Sequence, residues 1–527
     1  MLGARPLTPD PRPLLRRLFS PTLPTLVFLL AFLKVLSTGP HWLFGDGDLG
    51  WHLQTGKLIL QNGAVPRFDT YSWTVPGAPW VAFEWLSDVV FWRVLEAGGF
   101  LALLALEAAL IAGTFALLCH TILAAGGELF VSLAITGWAF WLSSIHWFAR
   151  PHLFTWLLMA LWCALLHRRL RGPTRAVWAI PLTAPLWVNL HGGWPTGCIV
   201  LALFAFGELA GGPGRLTRRG VLGWVLLGVV TFAATFAGPY GWGIHRDILG
   251  TLSAKPVLDL TEEWKSPDFR GNARPFRAFF VFALATMPFL PRPARAAGWA
   301  CLLAGTWLMM ESVRHIPLFL LWMAPFAAMG ATGALQRLAG ASGRAGTALA
   351  QVLDAEGPLR AKFQGAGGLL WPVLAVGLAV AGSFPPVLAS APAGFPPERF
   401  PAEAVSALAR AKPEGRLLND YSWGGYLAWA LPGTPVFIDG RNVLYGSKLS
   451  ADWLTMATLA PGWRERLVEH RIDWTLFPSG SPLTRALLER GWQTFHADAV
   501  ATVLVRPGAL SPRQGTSDTP SNQSVKP

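Results

Sequence analysis

The 527-residue chain is 52% hydrophobic and only 14% charged, and it holds 27 tryptophans. That composition excludes an ordinary soluble globular protein and fits a chain that crosses a membrane many times, with Trp enriched at the water boundary. Its net charge of +13 does not read as a nucleic-acid surface, because the basic residues fall in short clusters between apolar runs, as in cytoplasmic loops.

In chain order, Arg5, Arg12, Arg16 and Arg17 precede a first apolar run over 21–40. No small-x-small cleavage site follows it, so it reads as a retained helix with its N-terminus in the cytoplasm. Gly45-Asp46-Gly47-Asp48-Leu49-Gly50-Trp51-His52 comes directly after. Carboxylates at a bilayer boundary are costly unless hydrated, paired or bound to a cation, so Asp46 and Asp48 are candidate catalytic residues or ligands of a divalent cation such as Mg or Mn. The plain alternative is a hydrated loop whose aspartates end a helix. The next segment, 81–98, carries Glu84, Asp88, Arg93 and Glu96. It is too charged to cross the bilayer and is predicted to be an interfacial helix, with Glu84 and Asp88 sharing one face.

Apolar runs recur at 99–122, 128–148, 152–171, 176–191, 194–211, 219–237, 276–291, 294–311, 316–333 and 368–388. With the first they predict about eleven spans. The basic clusters are Arg168-Arg169 with Arg171 and Arg175, Arg215 with Arg218-Arg219, Arg292 with Arg295, and the loop carrying Arg337, Arg344, Arg360 and Lys362. All fall on the N-terminal side if 81–98 stays outside the membrane. Cys119, Cys163, Cys198 and Cys301 lie inside apolar segments without metal-ligand spacing, and read as buried thiols.

The same topology gathers His146, Arg150-Pro151-His152, Asn189-Leu190-His191, Glu262-Glu263-Trp264, Glu311 and Arg314-His315 at the outer boundary. One composite site is the economical reading: Asp46, Asp48 and Glu84 for catalysis, with His52, Arg150, His152, Asn189, His191, Glu262, Glu263, Arg314 and His315 as substrate-binding residues. Each also has a plain alternative role: His191 as a helix cap, Arg150 as a snorkelling side chain, Glu262 or Glu263 as a solvated charge.

Beyond residue 391 the pattern changes to short strands predicted at 416–419, 435–438, 473–477 and 501–505, with helices at 423–431, 453–470 and 483–490. Asn419-Asp420-Tyr421 and Asp439-Gly440-Arg441 stand at predicted strand ends, where open α/β sheets bind ligands; Asp439-Gly-Arg fits a turn with an internal ion pair equally well. The domains expected are therefore a helical membrane domain over 1–390, with an outer loop of interfacial helices over 41–98, an α/β domain over 391–510, and a disordered tail over 511–527 rich in Ser, Pro, Thr and Gln.

An acidic pair after the first helix, an outer loop with interfacial helices, about eleven spans and an external C-terminal domain together resemble the GT-C superfamily of polyprenyl-phosphate-sugar-dependent glycosyltransferases. More narrowly, Asp46-x-Asp48 with Trp51-His52, then Pro66, Asp69, Tyr71-Ser72, Pro79-Trp80 and Glu84-Trp85-Leu86, is similar to a group of bacterial multi-spanning proteins, as are Asn189-Leu-His-Gly and Glu263-Trp-x-Ser-Pro. The resemblance implies an all-α polytopic domain with a small extracytoplasmic α/β domain, in the bacterial inner membrane. It implies a catalytic or metal-associated carboxylate at Asp46 or Asp48, and transfer of a hexosyl or pentosyl group from a polyprenyl-phosphate sugar donor to an envelope lipid, glycan or protein on the periplasmic face. The rival class is a lipid or polysaccharide transporter, but transporters show internal repeats and polar residues at mid-membrane depth, whereas no repeat is evident here and the charges collect at one boundary.

Overall fold

The computed structural model describes residues 18–211, 217–253, 262–271, 273–363, 367–383 and 394–509. The arginines of the N-terminal 17 residues, Arg215 and the expected tail over 511–527 lie outside the described residues. Two compact units divide the chain. One comprises Met1–Asp46, Thr55–Arg67 and Val81–Gly394; the other comprises Gly47–Gln54, Phe68–Trp80 and Phe395–Pro527.

The first unit is helical. Every predicted apolar run holds a helix, beginning with Leu23–Thr38, which Thr22 caps by accepting a hydrogen bond from the Thr25 amide and which has a proline in its first turn. It packs along Trp85–Ala124, which in turn packs on His152–Arg171. The boundary expected between 98 and 99 is present as a break: Gly98 and Gly99 leave helical geometry, and Gly99, at φ +65°, adopts a conformation that glycine tolerates best. Before the break, exposed Arg93 and Glu96 pair with each other. After it, Ala102 to Ala105 and Ala108 are buried among neighbouring helices. Four helices among the described residues are long and apolar enough to cross a membrane: Trp85–Ala124, Leu129–His146, His152–Arg171 and Val313–Ala339. The last carries an unbroken buried run from Ile316 to Ala328, as a helix surrounded by other helices must.

The second unit is a small α/β domain. Its four-stranded sheet has the order β1-β2-β4-β3, with β1 Leu417–Asn419, β2 Trp474–Pro478, β3 Gln493–Ala497 and β4 Ala501–Val505. β1 runs parallel to β2; β4 is antiparallel to β2 and β3. Leu418, Phe477 and Leu504 from three strands meet Phe437, Met456 and Leu483 in the core. Burying each of these side chains stabilises the fold by about 1.5–3 kcal/mol.

Three local expectations change. Residues 435–438 form no strand, only a single bridge between Val436 and Ser72, because the Phe437 amide donates to the side chain of Asn419 rather than to a neighbouring strand. The helix expected over 453–470 is two helices, Asn442–Thr458 and Trp463–Glu469, separated where Leu459 and Gly462 take positive φ. The third change is β3, which the sequence pattern does not announce. Its residues are mostly half-exposed or exposed and so lack the alternation that marks a strand.

Candidate functional site

In the helical unit, charged side chains from four separate stretches meet. The Ala149 amide donates to the Leu43 carbonyl at 2.9 Å, which brings the segment after the first helix beside the turn that opens His152–Arg171. Arg150 then lies 2.5 Å from Asp46 and donates to both Glu263 carboxylate oxygens at 3.1 Å. Arg314 stands 3.8 Å from Glu263, with its guanidinium 4.6 Å from the centre of the Trp264 ring. The result is an alternating array, Asp46–Arg150–Glu263–Arg314. Burial alone would push the Glu263 carboxyl up, but Arg150 and Arg314 outweigh it and hold the group below the ordinary carboxylate range.

Hydrogen bonds to backbone carbonyls fix the two turns that carry Glu263 and Arg314. Ser312 Oγ donates to the Glu263 carbonyl at 2.7 Å, the Val313 amide to the Lys265 carbonyl at 3.0 Å, and Ser266 Oγ to the Met310 carbonyl at 2.6 Å. His315 turns back to the preceding helix, with Nδ1 2.7 Å from the Leu308 carbonyl. The Glu262 side chain lies outside the described residues.

A second constellation adjoins the first. His191 Nε2 lies 3.3 Å from Glu84, and Nδ1 accepts from the Gly193 amide at 3.0 Å with Thr155 Oγ1 at 2.8 Å. Because the Gly193 amide donates to Nδ1, that nitrogen is the acceptor, which leaves Nε2 as the nitrogen bearing hydrogen towards Glu84; the Trp187 indole donates to the same Thr155 oxygen. A Cβ on Gly193 would come within 2.8 Å of both His191 Nδ1 and Thr155 Oγ1, so glycine keeps room for this chain. His152 Nε2 is 3.0 Å from the His146 carbonyl, and its buried Nδ1 has no hydrogen-bond partner among the described residues. The His152 and His191 rings are 6.4 Å apart, and the charges of Arg314 and Arg150 bear on His191.

Asn189 does structural work: it accepts from the Trp85 indole and donates to the carbonyls of Pro185 and Ala237, all at 2.7 Å. These bonds fasten the helix that begins beside Glu84. Thr155 is a site residue that the sequence reading does not single out, although it lies three residues after His152 in an otherwise apolar helix and so on the same face.

Asp48 and His52 belong to the other unit. His52 is buried against Trp51, with ring centres 3.6 Å apart. The Asp48 carboxylate lies over Gly440, where an added Cβ would meet its oxygens at 2.0 and 2.3 Å. Next to it, Arg441 donates Nε and one terminal nitrogen to Asp439 at 2.9 and 2.7 Å, and that same terminal nitrogen lies 2.7 Å from Asp69. Tyr71 and Trp80 flank the guanidinium at 4.8 and 4.6 Å. The internal ion pair of Asp439-Gly-Arg is therefore present and recruits Asp69 as well. Within this unit Glu403, His496 and Asp498 bring ligand atoms within 4.8 Å of one another, a grouping able to hold a metal ion.

No protein-family model matches the chain, and no curated protein matches it in sequence. Solved structures do match. The archaeal oligosaccharyltransferase AglB from Archaeoglobus fulgidus, in complex with an inhibitory peptide and a dolichol-phosphate, superposes with a TM-score of 0.56 over 89% of this chain and 72% of its own, at 12% identity. The Archaeoglobus fulgidus oligosaccharyltransferase in its apo form gives 0.51 over 86% and 69%, at 12% identity. The chain has the GT-C fold. ArnT from Cupriavidus metallidurans bound to undecaprenyl phosphate also matches, with a TM-score of 0.47 over 91% of this chain and 97% of its own, at 14% identity. Within the helical unit of this GT-C fold, Asp46, Glu84, Arg150, His152, His191, Glu263 and Arg314 form the two adjoining constellations, whereas Asn189 and His315 are turned to structural contacts.

Proposed function

We propose that the protein is a membrane glycosyltransferase that moves a sugar from a polyprenyl-phosphate donor to an envelope lipid, glycan or protein acceptor at the outer face of the bacterial inner membrane. The alternating array Asp46–Arg150–Glu263–Arg314 carries this reading. Glycosyl transfer of this kind needs positive charge for a phosphate leaving group and a carboxylate to take the acceptor's proton. Arg314 supplies the first, since ring stacking and one long ion pair leave guanidinium donors for phosphate oxygens. Asp46 supplies the second. Asp46 is engaged by Arg150, so donor phosphate has a further part in the mechanism: by competing for Arg150 it opens the Asp46 carboxylate to the acceptor when the leaving group is in place. Glu84 and His191 form a carboxylate–imidazole pair beside the array that can relay the proton onward.

A divalent cation, Mg or Mn, held at Asp46 is the second reading, supported by its hard carboxylate oxygens. It would require the ion to replace Arg150 at Asp46. The neighbouring fold supports a lipid-linked donor because AglB was solved with a dolichol-phosphate.

The test supplies radiolabelled polyprenyl-phosphate sugars and membrane extract to purified wild-type protein, Asp46→Asn and Arg314→Ala. Transfer should fall by at least about a hundredfold in Asp46→Asn, as for loss of a general base, and Arg314→Ala should chiefly weaken use of donor. Equal transfer by wild type and Asp46→Asn removes Asp46 from the chemistry, and loss of transfer on adding EDTA, restored by Mg or Mn, selects the second reading. Absence of transfer from every donor sets the transferase reading aside.

A further inference from the structure

The C-terminal unit contains a cavity of about 750 Å³ to which the array described above contributes nothing. Arg416, Arg464, Arg471, Arg490 and Arg506 line it, with Asp473 as the one acidic group. Asp473 is already engaged by Arg506 at 2.7 Å and by the Arg416 amide at 3.1 Å. Five guanidinium groups therefore face one carboxylate. Beneath them the floor is apolar, made by buried Trp463, Leu467, Ile472 and Leu487, with half-buried Trp492 at its side.

These five arginines are exposed, and several are held by a single hydrogen bond or a ring contact. Arg490 donates to the Ala486 carbonyl at 2.9 Å and lies 5.1 Å from the centre of the Trp463 ring; Arg464 lies 5.5 Å from the same ring. Arg416 donates to the His470 carbonyl at 3.0 Å. Arg471 stands just past the end of Trp463–Glu469, at φ +52°, in the left-handed conformation where a helix usually ends on glycine. Keeping a β-carbon there costs stability, and what the position gains is a cation at the mouth of the cavity.

We infer that this cavity binds an anionic saccharide, a sugar unit or short glycan bearing carboxylate or phosphate groups. Guanidinium forks match the paired oxygens of those groups, and the half-buried indole of Trp492 suits the apolar C–H face of a sugar ring. The volume falls in the range of small-molecule sites. A concave floor ringed by cations fits a discrete ligand better than a flat bilayer surface. The inference does not depend on the transferase reading, because its experiment measures binding and not transfer.

The full-length protein in phosphatidylcholine nanodiscs is titrated with fluorescein-labelled hexagalacturonate, with maltohexaose as the neutral competitor. Hexagalacturonate should bind, more weakly as salt is raised, and maltohexaose should not displace it. Arg464→Ala combined with Arg471→Ala should weaken binding about tenfold. The variant Arg471→Gly separates fold from function: its Tm should rise while its affinity falls at least about threefold. Trp492→Ala should weaken hexagalacturonate without changing competition by inorganic pyrophosphate. Unchanged affinity in the double variant, displacement by maltohexaose, or failure of the wild-type protein to bind hexagalacturonate would each overturn the inference.

Discussion

Arg441 is 7% exposed, and a guanidinium so deeply placed has to find its countercharge inside the protein. It has two carboxylates, Asp439 and Asp69, and two aromatic faces. Burial alone would push its pKa down, but Asp439 more than reverses this and holds it well above the ordinary arginine range. Glu263 follows the same logic with opposite sign, and it yields a pH dependence. Its folded pKa is depressed, with Arg150 and Arg314 overcoming burial, so its contribution to stability is present above the unfolded carboxylate pKa and is lost as pH falls through the folded value. Glu263→Gln should lower stability at pH 7 by about 1.5–3 kcal/mol, the range for a hydrogen bond to a charged group. The gap in Tm between wild type and variant should narrow on acidification towards pH 3; a gap that stays constant would show that the carboxylate charge is not what stabilises the turn. Much of this was legible residue by residue, because carboxylates and arginines at helix ends demand partners. Which partners was not. Asp69 lies far upstream of Arg441, and Thr155 owes its place to a helix face shared with His152.

At the scale of elements, glycines decide how the acidic motif is seated in the C-terminal unit. The helix Asp48–Asn62 begins against Gly424–Ala430, and the two approach through glycine. A Cβ on Gly47 would lie 2.1 Å from the Ser422 carbonyl oxygen, and one on Gly50 would lie 2.3 Å from that of Gly425. In return, Gly425 would meet the Gly47 carbonyl oxygen at 2.5 Å. The glycines around the aspartates therefore serve close backbone packing in a motif whose carboxylates attract attention first. Gly50→Ala should cost about 1–3 kcal/mol by overpacking and lower the Tm. Gly77→Ala is the control: with nothing within 4 Å of its Cβ but φ at +70°, it reports conformational strain alone. If Gly50→Ala melts no lower than Gly77→Ala, the backbone approach is not limiting. The long apolar helices were readable because burial imposes continuous hydrophobicity over many residues. β3 was not, because its half-exposed and exposed residues lack alternation, and the 435–438 segment was not, because its one bridge is to Ser72, far upstream.

For the whole molecule, the distribution of charge along single helices in the helical unit bears on which way the chain faces. His152–Arg171 starts beside Arg150 and ends in Arg168, Arg169 and Arg171; at 1.5 Å per residue its ends are roughly 30 Å apart, a bilayer's hydrocarbon thickness. Ile316–Ala339 repeats the pattern, with Arg314 and His315 just before it and Arg337 in its last turn. Arg292–Glu311 runs the other way, from Arg292 and Arg295 towards the turn holding Ser312 and Arg314. In all three the array lies at one end and the surplus arginines at the other. By the positive-inside rule the proposed orientation puts the surplus in the cytoplasm and the array at the outer face. Substituted cysteines read this directly, since Cys119, Cys163 and Cys301 are buried and wild-type protein sets the background from Cys198. In sealed spheroplasts a membrane-impermeant maleimide should label Gln61→Cys, exposed on the Asp48–Asn62 helix, and should reach Arg175→Cys, exposed beyond the arginine cluster, only after permeabilisation. Labelling of Arg175→Cys in sealed cells, with Gln61→Cys protected, would turn the array towards the cytosol and put the acceptor in a different compartment.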